Sequence, residues 1–122
     1  MWEIRLHPAV EDRFLGLCAD DPCTADLVSE ALDLLAEHGP ALGRPLVDRL
    51  RGSTYHHMKE LRPGSTGTSE VRMIFAFDPL REAVLLVAGD KSGQWQSWYR
   101  NAVPLADERF QEHLISLKED QS

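Results

Sequence analysis

Cationic side chains stand at the ends of three strand-like runs in the second half of the sequence. Arg62 closes "HMKELR", Arg72 lies near the start of "EVRMIFAFD", and Lys91 lies just beyond "EAVLLVAG". Guanidinium groups bind phosphate oxygens in a bidentate geometry, and a lysine adds a compact positive charge. These three residues predict an anion-binding surface suited to a phosphodiester.

The segment "GDKSGQWQSWYR" places aromatic residues directly after the most apolar run of the chain. One interpretation is a loop whose tryptophans, Trp95 and Trp98, pack onto the sheet. The other is the rim of a polyanion site, where rings stack on unpaired bases and Tyr99 and Arg100 contact the strand. Both interpretations stay open on the sequence.

RNA carries its own nucleophile, the 2′-hydroxyl, so metal-free cleavage requires few protein groups. It needs in-line geometry, cations that stabilise the pentacovalent transition state, and an acid and a base. Arg62 and Arg72 are candidates for charge stabilisation. Lys91 or Tyr99 could transfer a proton if its pKa were lowered.

Each candidate also has a plainer interpretation. An arginine on an exposed sheet face is more often solvated surface than a catalytic group. His56 and His57 titrate near neutral pH, but a pair in a turn is more often simple surface. Glu60, beside Arg62, is better interpreted as a salt-bridge partner than as a base. The convergence of three cations on one predicted surface strengthens the functional interpretation without displacing the plainer one.

The charge of the chain is unevenly distributed. The 122 residues carry a formal net charge of −7, which argues against a general nucleic-acid binder. Residues 44–100, however, have a net charge of +3, and the remainder has −10. A local field can therefore differ in sign from the total.

Hydrophobic periodicity predicts the element order β-α-α-β-β-β-α. Capping residues predict helix starts at Pro8 and at Pro22, the latter capped by Asp21, and proline predicts a final helix from Pro104. The remaining predicted elements are strands 2–6, 57–62, 70–78 and 82–89, a short extended piece 46–50, and a loop 63–69. We expect a single domain over residues 1–122, an α+β fold of two layers. In it a small, mostly antiparallel sheet carries an N-terminal helical hairpin and a C-terminal helix on one face, and the other face is partly open.

Strand alternation predicts which side chains reach that open face. Arg72 should point to it, because the larger apolar residues of its strand alternate with it and belong in the core. Glu60 and Arg62 should join it, since Leu61 faces the core. Lys59 has the parity of Leu61 and reaches the face only if its strand bulges.

The remaining totals exclude several classes of protein. No apolar run approaches a membrane span of about 20 residues, and the N-terminus has no signal-peptide pattern. Cys18 and Cys23 have no metal-site spacing and are typical of reduced thiols in a cytoplasmic protein. We expect neither a metal nor a cofactor.

An ordered set of motifs resembles a known family. The set comprises an "ELR" strand, the strand "EVRMIFAF", an apolar strand ending in "GDK", and a terminal helix. In this it is similar to the RelE/ParE superfamily of type II toxin–antitoxin toxins, and specifically to its HigB-like, phage-derived branch. The similarity extends from about residue 2 to residue 117.

The resemblance implies a RelE-like fold and metal-free, ribosome-dependent cleavage of mRNA. It also implies neutralisation by a helix-turn-helix, HigA-like antitoxin, through which the complex binds operator DNA. Arg62, Arg72, Lys91 and Lys59 match positions of the family, whereas Tyr99 and Arg100 lie in a terminal segment that varies within it. Together with the residue patterns, this gives two groups of candidates: catalytic Arg62, Arg72, Lys91 and Tyr99, and RNA-binding Lys59, His57, Trp98 and Arg100. Two alternatives share the scaffold, a ParE-like inhibitor of DNA gyrase and an inactive partner that only binds its antitoxin.

Overall fold

The computed structural model of the chain describes residues 1–64 and 67–121, without the side chains of Trp95 and Gln121. Residues 65 and 66 of the predicted loop therefore lie outside the described residues. The elements in chain order are β1 (Glu3–Leu6), α1 (Pro8–Asp20), α2 (Pro22–His38), a 3-10 turn (Gly39–Ala41), β2 (Val47–Arg49), β3 (Lys59–Leu61), β4 (Val71–Phe77), β5 (Glu82–Asp90) and α3 (Trp95–Gln121).

One five-stranded sheet with the order β1-β5-β4-β3-β2 organises the chain. Its pairs are antiparallel except for β1 with β5, which is parallel. The predicted α+β class, with an N-terminal helical hairpin and a C-terminal helix, is confirmed, and the fold is consistent with a RelE-like one. None of the described helices combines the length and the apolar character that crossing a bilayer requires.

The two N-terminal helices begin where their capping residues predict. Proline occupies the first position of both α1 and α2, where its missing N–H costs no hydrogen bond. Asp21 separates them and accepts a hydrogen bond from the backbone N–H of Thr24 at 3.2 Å. The connection is therefore one residue long, and the helices form a hairpin.

We expected all helices on one face of the sheet, but they cover both faces. α1 and α2 pack against Met73, Phe75 and Leu85, whereas α3 packs against Ile74 and Leu86. Alternate residues of β4 and β5 are apolar on both sides, so an uncovered second face would leave a large hydrophobic surface in water. Within the described residues, the second face stays open at its end beyond α3, and the predicted parity of Glu60, Arg62 and Arg72 is confirmed there.

The third helix begins at Trp95, not at Pro104 as predicted. Pro104 lies inside the helix, where it removes one backbone hydrogen bond and costs about 3 kcal/mol. That cost is offset because Trp98, Ala102 and Ala106, one turn apart, bury a continuous stripe against the sheet. Residues 95–100, the end of the segment that the sequence leaves as either a packed loop or the rim of a site, are therefore the start of α3.

A β-bulge in β5 changes the parity of that strand. Ile74 pairs with Val87 but its neighbour Phe75 pairs with Leu85, so Leu86 is an extra residue. Val84 faces α3 before the bulge, and both the extra residue Leu86 and the next residue, Val87, face α3 as well. Every later residue of the strand is thereby turned to the opposite face from the one that simple alternation would give it.

Helix α3 holds the bulge through a side chain. The Nη1 of Arg109 donates to the carbonyl oxygen of Leu86, the extra residue, at 2.7 Å. A bulge interrupts the regular ladder of hydrogen bonds, so this charged donor supplies a partner that the ladder does not.

The first turns of α3 lie so close to β5 that only glycine fits between them. A Cβ atom on Gly89 would lie 2.3 Å from Nε1 of Trp98. Trp98 is half-buried and contacts the ring of Tyr99 edge-on at 5.0 Å between centroids. Gly89 therefore sets the distance between the strand and the helix turn that carries Tyr99.

We expect Arg109→Met to lower the free energy of unfolding by about 1–3 kcal/mol, because the charged hydrogen bond to the bulge is lost while the aliphatic stem is kept. Urea denaturation measures the difference. Arg100→Met, an exposed position of the same helix, is the matched control and should cost less than about 0.5 kcal/mol. Equal effects of the two changes would mean that Arg109 does not hold the bulge.

We expect Gly89→Ala to destabilise the fold by about 1–3 kcal/mol, because the added methyl group overlaps the Trp98 ring. Gly16→Ala in α1 is the control, since a Cβ there meets no atom within 4 Å. That change should stabilise the protein by about 0.5–1 kcal/mol, the usual gain of alanine over glycine in a helix. A Gly89→Ala variant as stable as wild type would contradict the close seating of Trp98.

Candidate active site

A cleft of about 510 Å³ opens where the second sheet face extends beyond α3. Its lining combines five cations, two carboxylates, one leucine and one tyrosine: Asp48, Arg49, Leu50, Arg51, Glu60, Arg62, Arg72, Lys91 and Tyr99. The structure thus brings together all four residues that the sequence proposes for chemistry. We call this set of nine residues the cationic cleft.

The sheet positions the cationic side chains through its register. Glu60 of β3 pairs with Ile74 of β4, whose side chain faces α3, so Glu60 and Arg62 face that side as well. Arg72 has the parity of Ile74 and joins them. Lys91, just after β5, reaches the same face because the bulge has reversed the parity of its strand.

Glu60 is the buried centre of the cationic cleft. It is 2% exposed, and its Oε1 accepts from Nε of Arg62 at 2.9 Å. The same oxygen lies 3.9 Å from Nε of Arg72. Asp48 adds a second carboxylate, 3.4 Å from Nη2 of Arg62. The two arginines are therefore held from one side by carboxylates while the cleft opens on the other.

Arg72 is fixed against the sheet by its own backbone environment. Its Nη1 donates to the carbonyl of Val71 at 2.8 Å, and its Nη2 lies 3.8 Å from Oε2 of Glu70. The side chain is only 17% exposed. A guanidinium so restrained is oriented before an anion arrives, which lowers the entropic cost of binding it.

Lys91 is an almost fully buried ammonium group, with 3% of its side chain exposed. Burial lowers its pKa, and the neighbouring Arg72 lowers it further, while Glu60 and Glu70 oppose the shift. Its Nζ lies 5.4 Å from the centre of the Tyr99 ring and 3.9 Å from Oε2 of Glu70. A lowered pKa brings a lysine closer to the range useful in proton transfer.

Tyr99 shows the opposite shift. Burial raises its pKa well above the usual range for tyrosine, and the neighbouring Glu60 carboxylate raises it further. The hydroxyl therefore stays protonated at neutral pH and can donate a hydrogen bond but not accept a proton as phenolate. Of the two proposed proton-transfer groups, only Lys91 has the lowered pKa that the role requires.

The proposed RNA-binding residues are not brought into the cationic cleft. Lys59 lies on the opposite face, with its Nζ 5.5 Å from the ring centre of Phe77, because β3 has no bulge. His57 is exposed in the turn before β3, and Arg100 is exposed on α3. Trp98 packs on the sheet, and the predicted rim position of Trp95 falls on a side chain that is not described.

The contribution of β2 to the cleft was not predicted, although the extended piece 46–50 that contains this strand was. Asp48 pairs with Glu60 across β2 and β3, so its neighbourhood follows from the register. The backbone N–H of Arg49 lowers the pKa of Asp48, and Arg44, hydrogen-bonded to it at 3.1 Å, lowers it further. The available signal was the alternation of "PLVDRL", which marks a strand with Asp48 and Leu50 on one side.

A second polar cluster lies between the β4–β5 hairpin and α3. The ligand atoms of Asp78, Glu82 and His113 lie within 4.8 Å of one another, a spacing that a metal ion could use. They already bind protein groups: His113 contacts Asp78 at 2.8 Å, and Arg5 donates to Glu82 at 3.0 Å. Burial opposes ionisation of Asp78, but its hydrogen bonds with His113 and Glu82 lower its pKa overall. We interpret the cluster as a tether of the hairpin to α3.

Comparison with known proteins supports a specific family. Two Mycobacterium tuberculosis proteins match, with the names "Putative toxin HigB2" and "Putative toxin HigB3". HigB2 is 47% identical over 130 residues, which cover 93% of this chain and 65% of HigB2, so the chain spans about two thirds of that relative. HigB3 is 49% identical over 111 residues, covering 91% of this chain and 92% of HigB3.

No solved structure matches the chain significantly. The sequence pattern of one family, described as phage-derived Gp49-like proteins (DUF891), matches residues 17–111. That range includes the whole cationic cleft. The chain therefore belongs to the Gp49-like family of phage-derived proteins, and the predicted HigB-like relationship is confirmed.

Proposed function

We propose that this chain is the toxin of a type II toxin–antitoxin system and cleaves mRNA on the ribosome without a metal ion. The names of its two relatives support the toxin role. The observation that carries the enzymatic part is the convergence of Arg62, Arg72, Lys91 and Tyr99 on one cleft.

The proposed reaction uses the RNA as its own nucleophile. The 2′-oxygen attacks phosphorus while its proton passes to a solvent water, the P–O5′ bond breaks, and a 2′,3′-cyclic phosphate and a 5′-hydroxyl end form. Arg62 and Arg72 stabilise the extra negative charge of the pentacovalent transition state. Lys91, with its lowered pKa, donates a proton to the leaving 5′-oxygen, and the Tyr99 hydroxyl donates a hydrogen bond to phosphate.

The distribution of charge supports binding of a polyanion despite the net charge of −7. The cationic cleft has five cations against two carboxylates. The helical hairpin on the other face of the sheet, with its connecting Asp21, has eight carboxylates and one cation. The acidity that argues against nucleic-acid binding is thus carried largely by the face that does not bear the cleft, and the local potential at the cleft is positive.

A neutralising partner belongs to this proposal. We infer a helix-turn-helix, HigA-like antitoxin in the cytoplasm, through which the complex contacts operator DNA. The cationic cleft gives an acidic antitoxin segment an electrostatically complementary surface. Binding there would occupy the groups assigned to chemistry.

We expect induction of wild-type protein in a bacterial host to arrest growth and to create new mRNA 5′ ends within translated codons. Arg72→Ala and Lys91→Met should each reduce cleavage about 100-fold or more, the usual loss when one transition-state contact is removed. Sequencing of mRNA 5′ ends measures cleavage, and thermal unfolding checks that each variant folds.

Lys59→Ala is the matched control, because it removes a cation from the opposite face of the same sheet. It should leave cleavage close to the wild-type rate. Growth arrest by a folded Arg72→Ala variant would contradict the proposed site. Arrest with DNA damage and unchanged mRNA ends would replace the nuclease by a gyrase inhibitor, and no arrest would leave only an antitoxin-binding role.

A further inference from the structure

The groups proposed for chemistry come from three elements but share one neighbour. Arg62 follows β3, Arg72 lies in β4, and Tyr99 lies in α3, and each interacts with the carboxylate of Glu60. Glu60 also acts electrostatically on Lys91, at the end of β5. A single carboxylate thus lies beneath all four groups.

Burial of this carboxylate is costly, so it needs a physical reason. Glu60 is 2% exposed, and a buried charge is tolerated only when it is paired and hydrogen-bonded. An apolar side chain would fill the same space between Ile74 and Asp48, its register partners, without that cost. The charge itself is therefore what the position requires.

The hydrogen bonds around Glu60 are incomplete. Within the described part of the chain, its Oε2 and the Nε of Arg72 are both buried without a hydrogen-bond partner. Yet Nε of Arg72 lies only 3.9 Å from the other oxygen of Glu60. That oxygen, Oε1, already accepts from Arg62, so Glu60 lies beside both guanidinium groups but completes a hydrogen bond with only one of them.

Arg62 shows what the completed contact achieves. Its Nε is bonded to Glu60 and its Nη2 faces Asp48, so the guanidinium plane is fixed. The side chain remains 38% exposed, which leaves the other donors of the fork available to the cleft. The carboxylate thus orients the guanidinium group from the sheet side and leaves its free donors directed into the cleft, where a phosphate would bind.

We propose that Glu60 is a positioning residue, whose carboxylate aligns Arg62 and Arg72 on a phosphodiester and in doing so weakens the binding of that phosphodiester. The alignment part rests on the proposed nuclease function. The opposing effect on affinity arises because the carboxylate and the phosphate carry charges of the same sign.

Glu60→Gln is the informative change, because glutamine keeps the shape and one acceptor oxygen but removes the charge. Glu70→Gln is the matched control. Glu70 also lies within 3.9 Å of Arg72 and Lys91, but it contributes neither to the lining of the cleft nor to the raised pKa of Tyr99.

The first readout is the titration of Tyr99, followed by phenolate absorbance in a Tyr55→Phe background after rapid pH jumps, before alkaline unfolding. The charged groups that act on Tyr99 are Glu60, Arg62 and Arg72, with Lys91 over its ring. Removing the one negative charge among them stabilises the phenolate, so Glu60→Gln should titrate at clearly lower pH. Glu70→Gln should titrate like wild type. An unchanged titration in Glu60→Gln would overturn the proposal.

The second readout separates binding from cleavage. Affinity is measured with a 2′-O-methyl RNA decanucleotide, which lacks the nucleophile, and cleavage with mRNA on purified ribosomes. Glu60→Gln should bind the decanucleotide as tightly as wild type or more tightly, and cleave about 10- to 100-fold more slowly, the loss expected from misplacing reacting groups by about 1 Å. A parallel loss of both, or cleavage at the wild-type rate, would contradict a positioning role.

Glu60→Asp keeps the proposal testable if Glu60→Gln does not fold. Aspartate retains the charge but withdraws it by one methylene group, so cleavage should fall while the titration of Tyr99 stays nearer to that of wild type. If wild-type protein cleaves no mRNA, the nuclease proposal fails. The Tyr99 titration and the decanucleotide affinity still decide whether Glu60 orders the cleft and opposes anion binding.

Discussion

The bulge in β5 is the constraint on which the site depends. A strand that alternated without interruption would direct the residue after Asp90 toward the helical hairpin. The extra residue, Leu86, reverses that parity, so Lys91 faces the cleft beside Arg72. The same reversal turns Gly89 toward α3, where the absence of a side chain admits Trp98 and fixes the turn that carries Tyr99. One irregularity of the ladder thus determines two walls of the site.

Much of the architecture follows from local sequence rules. Proline and Asp21 mark the starts of the first two helices, and alternation assigns both faces of β4 and the positions of Glu60 and Arg62. These features are local, because each depends on a capping residue or on the parity of one strand. The family resemblance implies the same fold class, which the structure confirms, and the comparisons confirm the family itself.

The features that could not be predicted are those that tertiary packing decides. Pro104 is a strong local signal for a helix start, but the apolar stripe that begins at Trp98 carries the helix through it. The position of a bulge has no reliable sequence signature. Lys91 lies at the predicted surface, but it does so because the bulge reverses the parity that alternation alone would give it. The depth at which Glu60 and Lys91 are buried depends on α3, which was expected to begin beyond the site.

The separation of charge between the two faces of the sheet has a consequence for encounters in solution. Eight carboxylates on the helical hairpin and five cations in the cleft separate charge across the sheet and so give the molecule an electric dipole. Near a polyanion, the net charge of −7 repels the molecule. At the same time, the field of the polyanion exerts a torque on the dipole and turns the cleft toward the polyanion. Approach is then slower than for a basic protein, but a larger share of the collisions has the cleft leading.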